Sequence, residues 1–252
     1  MEIYKIQKVT DELTLHVIHL KDYDTNFIEN LNNKLVKICE GDSDSTIELV
    51  KIRLKQFLES KDLRQKQGSI AEFFVHLYLN NNEYKPEFIF YNLEESSIKK
   101  GFDGFYSKDD NTYIVESKSG SSLSKGISHI RKIKEAYADI EKYLNGTNGK
   151  GKNNPWKNAY YHANLLDVGT NKTIRTKIKE LRDNYDMKIF SDIKYFNVMP
   201  CSTIFLENIW DDKWSDEFIG DLENLKKLSG KTINLIVVTK KDLQSFEDYL
   251  GL

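Results

Sequence analysis

Two acids and a lysine near the middle of the chain have a spacing suited to phosphodiester chemistry. Asp103 lies in the stretch 101–105, and Glu116 and Lys118 follow after a polar segment. Because side chains alternate along a strand, Glu116 and Lys118 are predicted to point to the same face. The intervening residues 108–111, Lys-Asp-Asp-Asn, favour the turn of a β-hairpin, here predicted as a four-residue loop. The three charged side chains are therefore expected on one hairpin.

The register of this hairpin decides whether the two acids meet. If Ser107 pairs with Thr112, Asp103 falls opposite Glu116, whereas a slip of one residue would move a side chain to the other face. Opposed carboxylates repel, so the pair predicts a bound cation. Oxygen ligands suit Mg²⁺, for which Mn²⁺ can substitute. A lysine beside that ion would stabilise negative charge on a phosphoryl group, which indicates metal-assisted phosphodiester hydrolysis.

The same residues resemble the core motif of the PD-(D/E)xK nuclease superfamily, an acid on one strand and acid-x-Lys on the next. Asp103 and the run Glu116-Ser117-Lys118 carry the resemblance, although Phe102 replaces the usual proline before the first acid. The match is best over residues 64–145. It implies a catalytic role for Asp103, Glu116 and Lys118, and a metal held by the two acids and the carbonyl of Ser117. The alternative is a set of surface ion pairs.

Glu72 lies in a predicted helix, residues 63–79, that is apolar on nearly every side around it. A buried, unpaired carboxylate is costly, so Glu72 needs a cation, a hydrogen-bond donor or a proton. Many nucleases of this superfamily carry a glutamate on the helix before the sheet, and Glu72 matches that position. The resemblance therefore implies that Glu72 is catalytic and contributes to the metal site. An ion pair with a nearby lysine or histidine is the alternative.

The surrounding elements predict an α/β protein with a restriction-endonuclease-like core of helix, three strands, helix and strand, extended by an N-terminal strand-helix portion. Residues 1–62 are predicted to form an accessory region, and residues 63–252 the nuclease domain. Apolar patterns predict helices at 27–38, 46–60, 63–79, about 123–144, 174–185 and 218–228, and strands at 13–20, 87–91, 98–106, 112–118, 202–206 and 233–238. Either of the last two strands could complete the central sheet.

Composition narrows the class of protein further. The 252 residues carry a net charge of −2, which argues against a freestanding nucleic-acid binder. Residues 125–157 are nonetheless basic, where a phosphate backbone would lie, while residues 207–223 are acidic. A solvated helix face is the alternative for the basic stretch. Two distant cysteines, a charged N-terminus and no long apolar run predict a cytoplasmic protein without a membrane span.

Other catalytic classes are disfavoured. The five histidines form neither HExxH nor HxH, and no Gly-x-Ser-x-Gly elbow or Rossmann fingerprint occurs. His129 follows the hairpin and either approaches a phosphate or is simply exposed or hydrogen-bonded.

Over most of its length the chain resembles the HamA effector family of Hachiman bacterial defence systems. The resemblance includes the N-terminal strand and helices, the Gly-x-Asp-Gly and Glu-x-Lys pair, a long helix and a late run at residues 195–200. It implies a nuclease acting on DNA, with RNA left open, that a helicase partner restrains until phage attack. Two alternatives remain, a catalytically silent binding subunit with a nuclease fold and a stand-alone restriction endonuclease. The oligomeric state is not predicted.

Overall fold

The computed structural model describes residues 1–90, 101–147 and 154–252. Within these ranges the chain has a mixed α/β fold with one seven-stranded sheet and eight α-helices. The strands are β1 (Glu2–Lys8), β2 (Leu13–Leu20), β3 (Lys85–Pro86), β4 (Gly104–Lys108), β5 (Asn111–Ser121), β6 (Asn197–Phe205) and β7 (Thr232–Lys240). The helices are α1 (Thr25–Glu40), α2 (Ile47–Glu59), α3 (Leu63–Asn81), α4 (His129–Leu144), α5 (Pro155–Ala163), α6 (Lys172–Asp186), α7 (Lys213–Gly220) and α8 (Gln244–Leu250).

The strand order across the sheet is β1-β2-β7-β6-β5-β4-β3. The four central strands, β2, β7, β6 and β5, run parallel, and antiparallel pairs flank them at both edges. Parallel strands need covered faces, and β6 is accordingly buried along its whole length. Both late strands belong to the sheet, so the expectation that one or the other completes it was too narrow.

Helices cover both faces of the sheet. One apolar cluster joins Val115 of β5 to α1, α2, α3 and α8. The other joins the adjacent Ile114 to α4, α5, α6 and α7. Because neighbouring residues of a strand point to opposite faces, α3 and α4 lie on opposite sides of β5. This arrangement decides which helix can reach each side chain of the predicted site.

The predicted hairpin is formed by β4 and β5. Ser107 pairs with Thr112 as expected, but Lys108 also pairs with Asn111. The predicted four-residue loop was therefore wrong, because the ladder continues and leaves only the two residues 109–110 in the turn. Both have positive φ angles, 48° and 62°, as in the tight turns that match the twist of a hairpin.

Several predicted elements differ in the structure. The strand predicted at 87–91 is wrong over residues 87–90, because pairing ends at Pro86 and the buried rings of Phe88 and Phe90 enter different clusters. Its residue 91 lies outside the described residues. The strand predicted at 98–106 begins only at Gly104, and its residues 98–100 lie outside the described residues. The helix predicted at 218–228 is replaced by α7 and a short 3-10 helix, Leu222–Leu225. Strand β1 and helix α5 were not predicted.

Residues 1–62 share the sheet and the core with the rest of the chain. Strand β2 pairs with β7, and buried residues of α1 and α2 pack in the same cluster as α3. A domain boundary after residue 62 stays a prediction. Across the described ranges, no helix combines the length and the apolar character needed to cross a membrane.

Candidate active site

Strand β5 places Glu116 and Lys118 on the face covered by α4. The Nζ atom of Lys118 lies 2.6 Å from Oε1 of Glu116, which confirms that the two side chains point the same way. Asp103 lies in the bend before β4, where the pairing of Gly104 with Val115 places it beside Glu116. Its Oδ2 atom accepts a hydrogen bond of 2.8 Å from the backbone N–H of Ser117. The hairpin thus brings Asp103, Glu116 and Lys118 together.

Of these three side chains, Glu116 has the least favourable environment for a charge. Its side chain is 3 % exposed, and among the described residues its Oε2 atom has no hydrogen-bond partner. Burial, and then the neighbouring charge of Asp103, raise the pKa of Glu116 well above its usual range. A divalent cation would neutralise both effects, and carboxylate oxygens are the ligands that Mg²⁺ prefers. Asp103 and Glu116 therefore fit a hard cation, with one oxygen of Glu116 still available.

Lys118 contacts a second acid that the sequence analysis missed. Its Nζ atom lies 3.0 Å from Oδ2 of Asp139 on α4. Burial acts to lower the pKa of Lys118, but the charges of Glu116 and Asp103 and the hydrogen bonds from the lysine raise it overall. Lys118 is therefore a stable cation at neutral pH. The sequence held only a weak sign of Asp139, because its position follows from the packing of α4 over β5.

The helix that carries Glu72 packs on the other face of β5 from the side chain of Glu116. Helix α3 covers the face of Val115, whereas Glu116 shares the face of Ile114. Oε1 of Glu72 is 3.4 Å from Nε2 of His76, so the histidine contact given as the alternative for Glu72 is present. The described part of the chain contains no group of three or more His, Cys, Asp or Glu able to hold a metal ion. The structure does not bring Glu72, Asp103 and Glu116 into one such group.

Helix α4 forms one wall of a basic cleft beside Lys118. The cleft has a volume of about 900 Å³, and Arg64 from α3 contributes to its lining. Five basic and two acidic side chains line it: Arg64, Lys118, Arg131, Lys134, Lys142, Glu135 and Asp139. Some of this charge is neutralised, since Arg131 pairs with Glu135 and Lys142 with Asp139. Lys134 makes no ion pair with any described residue, and so it presents an uncompensated positive charge.

His129 does not face this cleft. Its Nδ1 atom is 2.8 Å from the hydroxyl of Ser202, and its Nε2 atom is 3.1 Å from that of Thr239. Burial lowers the pKa of His129 to about 3, so the ring is neutral. The hydrogen-bonded alternative for this histidine is confirmed. It leaves Lys118 and the cleft lysines and arginines as the cations of the candidate site.

The comparison with protein families gives one match. The family model described as HamA matches residues 2–250. No curated protein matches the chain. The family match spans both the N-terminal strands and the β4–β5 hairpin, so it covers the whole sheet described above.

Proposed function

Because the chain belongs to the HamA family, which indicates a protein associated with Hachiman defence, we propose that it is a metal-dependent nuclease. We further propose a PD-(D/E)xK core with Asp103, Glu116 and Lys118 as its catalytic residues, Mg²⁺ as the ion and Mn²⁺ as its substitute. The substrate would be DNA in the cytoplasm.

One observation carries the proposal. Glu116 is buried with an unpaired oxygen, next to a second carboxylate and a lysine. A protein that had no use for a cation would gain stability by removing this charge, since a buried carboxylate beside a second carboxylate, with one oxygen left unsatisfied, is costly even when a lysine pairs with the other oxygen. Such unfavourable charges occur more often at functional sites than elsewhere, which supports a catalytic reading of this hairpin.

Each side chain has a defined part in the proposed reaction. Asp103, Glu116 and the carbonyl of Ser117 would hold the ion, which when bound supplies charge neutralisation and an activated water. Lys118 would donate hydrogen bonds to a phosphate oxygen or to the attacking water and so stabilise the negative charge. For Glu72 we propose a supporting role only, because it contacts His76, whose ring lies about 3.4 Å from the position of a Cβ atom on Gly104, the residue next to Asp103.

The basic cleft supports a polyanionic substrate. Lys118 lies in its lining beside α4, so a backbone bound along Arg64, Lys134 and Arg131 would pass the candidate site. Phosphate contacts of this kind supply affinity without sequence information. The net charge of −2 fits a protein that depends on a partner for part of its DNA affinity. A helicase would supply that contact in the proposed system.

Plasmid cleavage tests this proposal. We expect the full chain to nick supercoiled plasmid in Mg²⁺, alone or with its helicase partner, and EDTA to stop the reaction. Lys118→Ala should reduce the rate by at least about 100-fold, since it removes a donor to the developing charge. Lys179→Ala is the matched control, because Lys179 is an exposed lysine of α6 paired with Asp183. A parallel arm with RNA compares the two substrates.

The same assay separates the alternatives. Absence of cleavage under both conditions, with Lys118→Ala indistinguishable from the wild type, favours the silent binding subunit. Cleavage at fixed sequences without any partner favours the stand-alone restriction endonuclease.

A further inference from the structure

We propose that Asp139 is a positioning residue that holds the ammonium group of Lys118 for the reaction, an inference that rests on the proposed nuclease function. The observation behind it is that Lys118 bridges two elements. Its Nζ atom lies 2.6 Å from Glu116 on β5 and 3.0 Å from Asp139 on α4.

The two acids constrain the lysine in different ways. A lysine side chain has a flexible four-carbon stem and three donors on its ammonium group. Glu116 belongs to the same strand as Lys118, two residues away, whereas Asp139 approaches from the helix above. A second anchor from another element fixes the ammonium group in a direction that the strand alone does not fix. One of the three donors then remains for a phosphate oxygen or a water.

Asp139 becomes more important once Glu116 takes up its proposed role. A cation held by Asp103 and Glu116 would compete with Lys118 for the oxygens of Glu116 and would repel its ammonium group. Asp139 would then be the acid that keeps Lys118 beside the site. Asp139 is itself oriented, because its second oxygen, Oδ1, lies 3.2 Å from Nζ of Lys142.

Kinetics of graded variants test the inference. Asp139→Ala removes the acceptor and the charge, and we expect kcat for plasmid cleavage to fall about 10- to 100-fold with KM changed less than about twofold, because misplacement of a reacting group acts mainly on the chemical step. Asp139→Asn keeps an acceptor oxygen and should lie between Asp139→Ala and the wild type. An unchanged kcat in Asp139→Ala, with an active wild type, overturns the inference.

Glu141→Ala is the matched control. Glu141 is an exposed acid of the same helix, two residues beyond Asp139, and it does not line the cleft. We expect its kcat to stay within about twofold of the wild type, because no ion pair joins it to Lys118 within the described residues. An equal loss in Glu141→Ala and Asp139→Ala would assign the effect to the charge of α4 and overturn the positioning role.

Crystal structures supply a readout that does not need activity. We expect the Lys118 ammonium to lie between the two acids in the wild type and to shift by more than about 1 Å in Asp139→Ala, or in Asp139→Asn if the alanine variant does not fold. An inactive wild type defeats the proposed function and the catalytic part of this inference. The crystal structures then decide whether Asp139 positions Lys118. An ammonium group that does not move in the Asp139 variants would refute this role.

Discussion

Glu116 and Glu87 are two buried carboxylates with opposite surroundings. Glu87 accepts hydrogen bonds of 2.6 Å from both Ser107 and Thr170. Glu116 has one oxygen bound to Lys118 and one without a partner among the described residues. The contrast separates a carboxylate that stabilises the fold from one that is kept at a cost. It also gives a matched pair of substitutions.

We predict that Glu116→Gln stabilises the metal-free protein by about 1 kcal/mol, because it removes the repulsion between Glu116 and Asp103 while Lys118 keeps its ion pair with Asp139. The same change should abolish cleavage and the increase in Tm that Mg²⁺ gives the wild type by binding only the folded state. Thermal unfolding with and without Mg²⁺ measures both effects. Glu87→Gln should instead destabilise the protein by about 1 to 3 kcal/mol, through its lost hydrogen bonds. A destabilised Glu116→Gln that still responds to Mg²⁺ would contradict the prediction.

Lys240 is a second buried charge, remote in sequence from the candidate site. Its Nζ atom has no hydrogen-bond partner among the described residues and lies 4.9 Å from the ring centroid of Tyr23 and 5.1 Å from that of Phe74. Burial lowers the pKa of Lys240 to about 8, although Asp242 acts in the opposite direction. Lysine in the unfolded chain titrates near 10.5. Between these values the unfolded state binds more protons than the folded state.

We therefore predict that the free energy of unfolding contains a term from Lys240 that rises with pH between about 8 and 10. Lys240→Met should remove this term. Relative to the wild type, the free energy of unfolding of Lys240→Met should therefore fall by about 2 kcal/mol as the pH rises across that range. Urea unfolding at several pH values measures the difference between the two proteins. Lys241→Met is the control, since Lys241 is partly exposed and paired with Asp22. A pH-independent difference for Lys240→Met would refute the assignment.

At the scale of elements, helix α4 carries most of the basic wall of the cleft. Lys134 is the residue of this wall to test, because it makes no ion pair within the described ranges and lies outside the Lys118 contacts. We predict that Lys134→Ala weakens DNA binding to a similar extent for all sequences and lowers the slope of log K against log salt by about 1, as expected for one lost phosphate contact.

Fluorescence anisotropy with labelled duplexes at several salt concentrations measures this prediction. Lys179→Ala on α6 should leave both the affinity and the slope unchanged, because Lys179 does not line the cleft. A sequence-dependent loss of affinity in Lys134→Ala would point to base contacts rather than to the backbone.

Local patterns predicted the elements that depend on local forces. Strand β2 occupies residues 13–20 as expected, because its alternation of β-forming residues specifies a strand directly. The pairing of Ser107 with Thr112 also followed from the polar turn next to it. The strand expected at 87–91 failed because its apolar pattern reflects burial of Phe88 and Phe90 in two separate clusters, which periodicity cannot distinguish from a strand.

The part of the candidate site that depends on local sequence could be predicted, and the part that depends on tertiary packing could not. Asp103, Glu116 and Lys118 could be placed together because a single hairpin holds them. Asp139 could not be found, and the packing of α3, which carries Glu72, on the Val115 face of β5 could not be foreseen, because both depend on which face each helix covers. Face assignment is a tertiary property that a short motif does not specify.

At the scale of the whole molecule, the N-terminal strands and helices are joined to the sheet through β7. Strand β2 pairs with β7 along residues 13–20, and α1 and α2 bury apolar side chains against α3. The shared cluster contains ten buried residues from this region: Ile18, Leu20, Phe27, Leu31, Leu35, Ile38, Cys39, Val50, Leu54 and Leu58. The candidate site therefore rests on a sheet that the first 62 residues help to cover.

We predict that a chain starting at residue 63 does not fold cooperatively. Each fully buried aliphatic or aromatic side chain contributes about 1.5 to 3 kcal/mol to folding. The burial energy lost with this cluster is therefore larger than the total stability of a typical domain, which is about 5 to 15 kcal/mol. Deletion of residues 1–9 is the control, because β1 is an edge strand with mostly exposed side chains and should cost far less. Circular dichroism and thermal unfolding compare the three chains. A cooperative transition in the 63–252 chain would show instead that residues 63–252 form an independent domain and that residues 1–62 are an accessory layer.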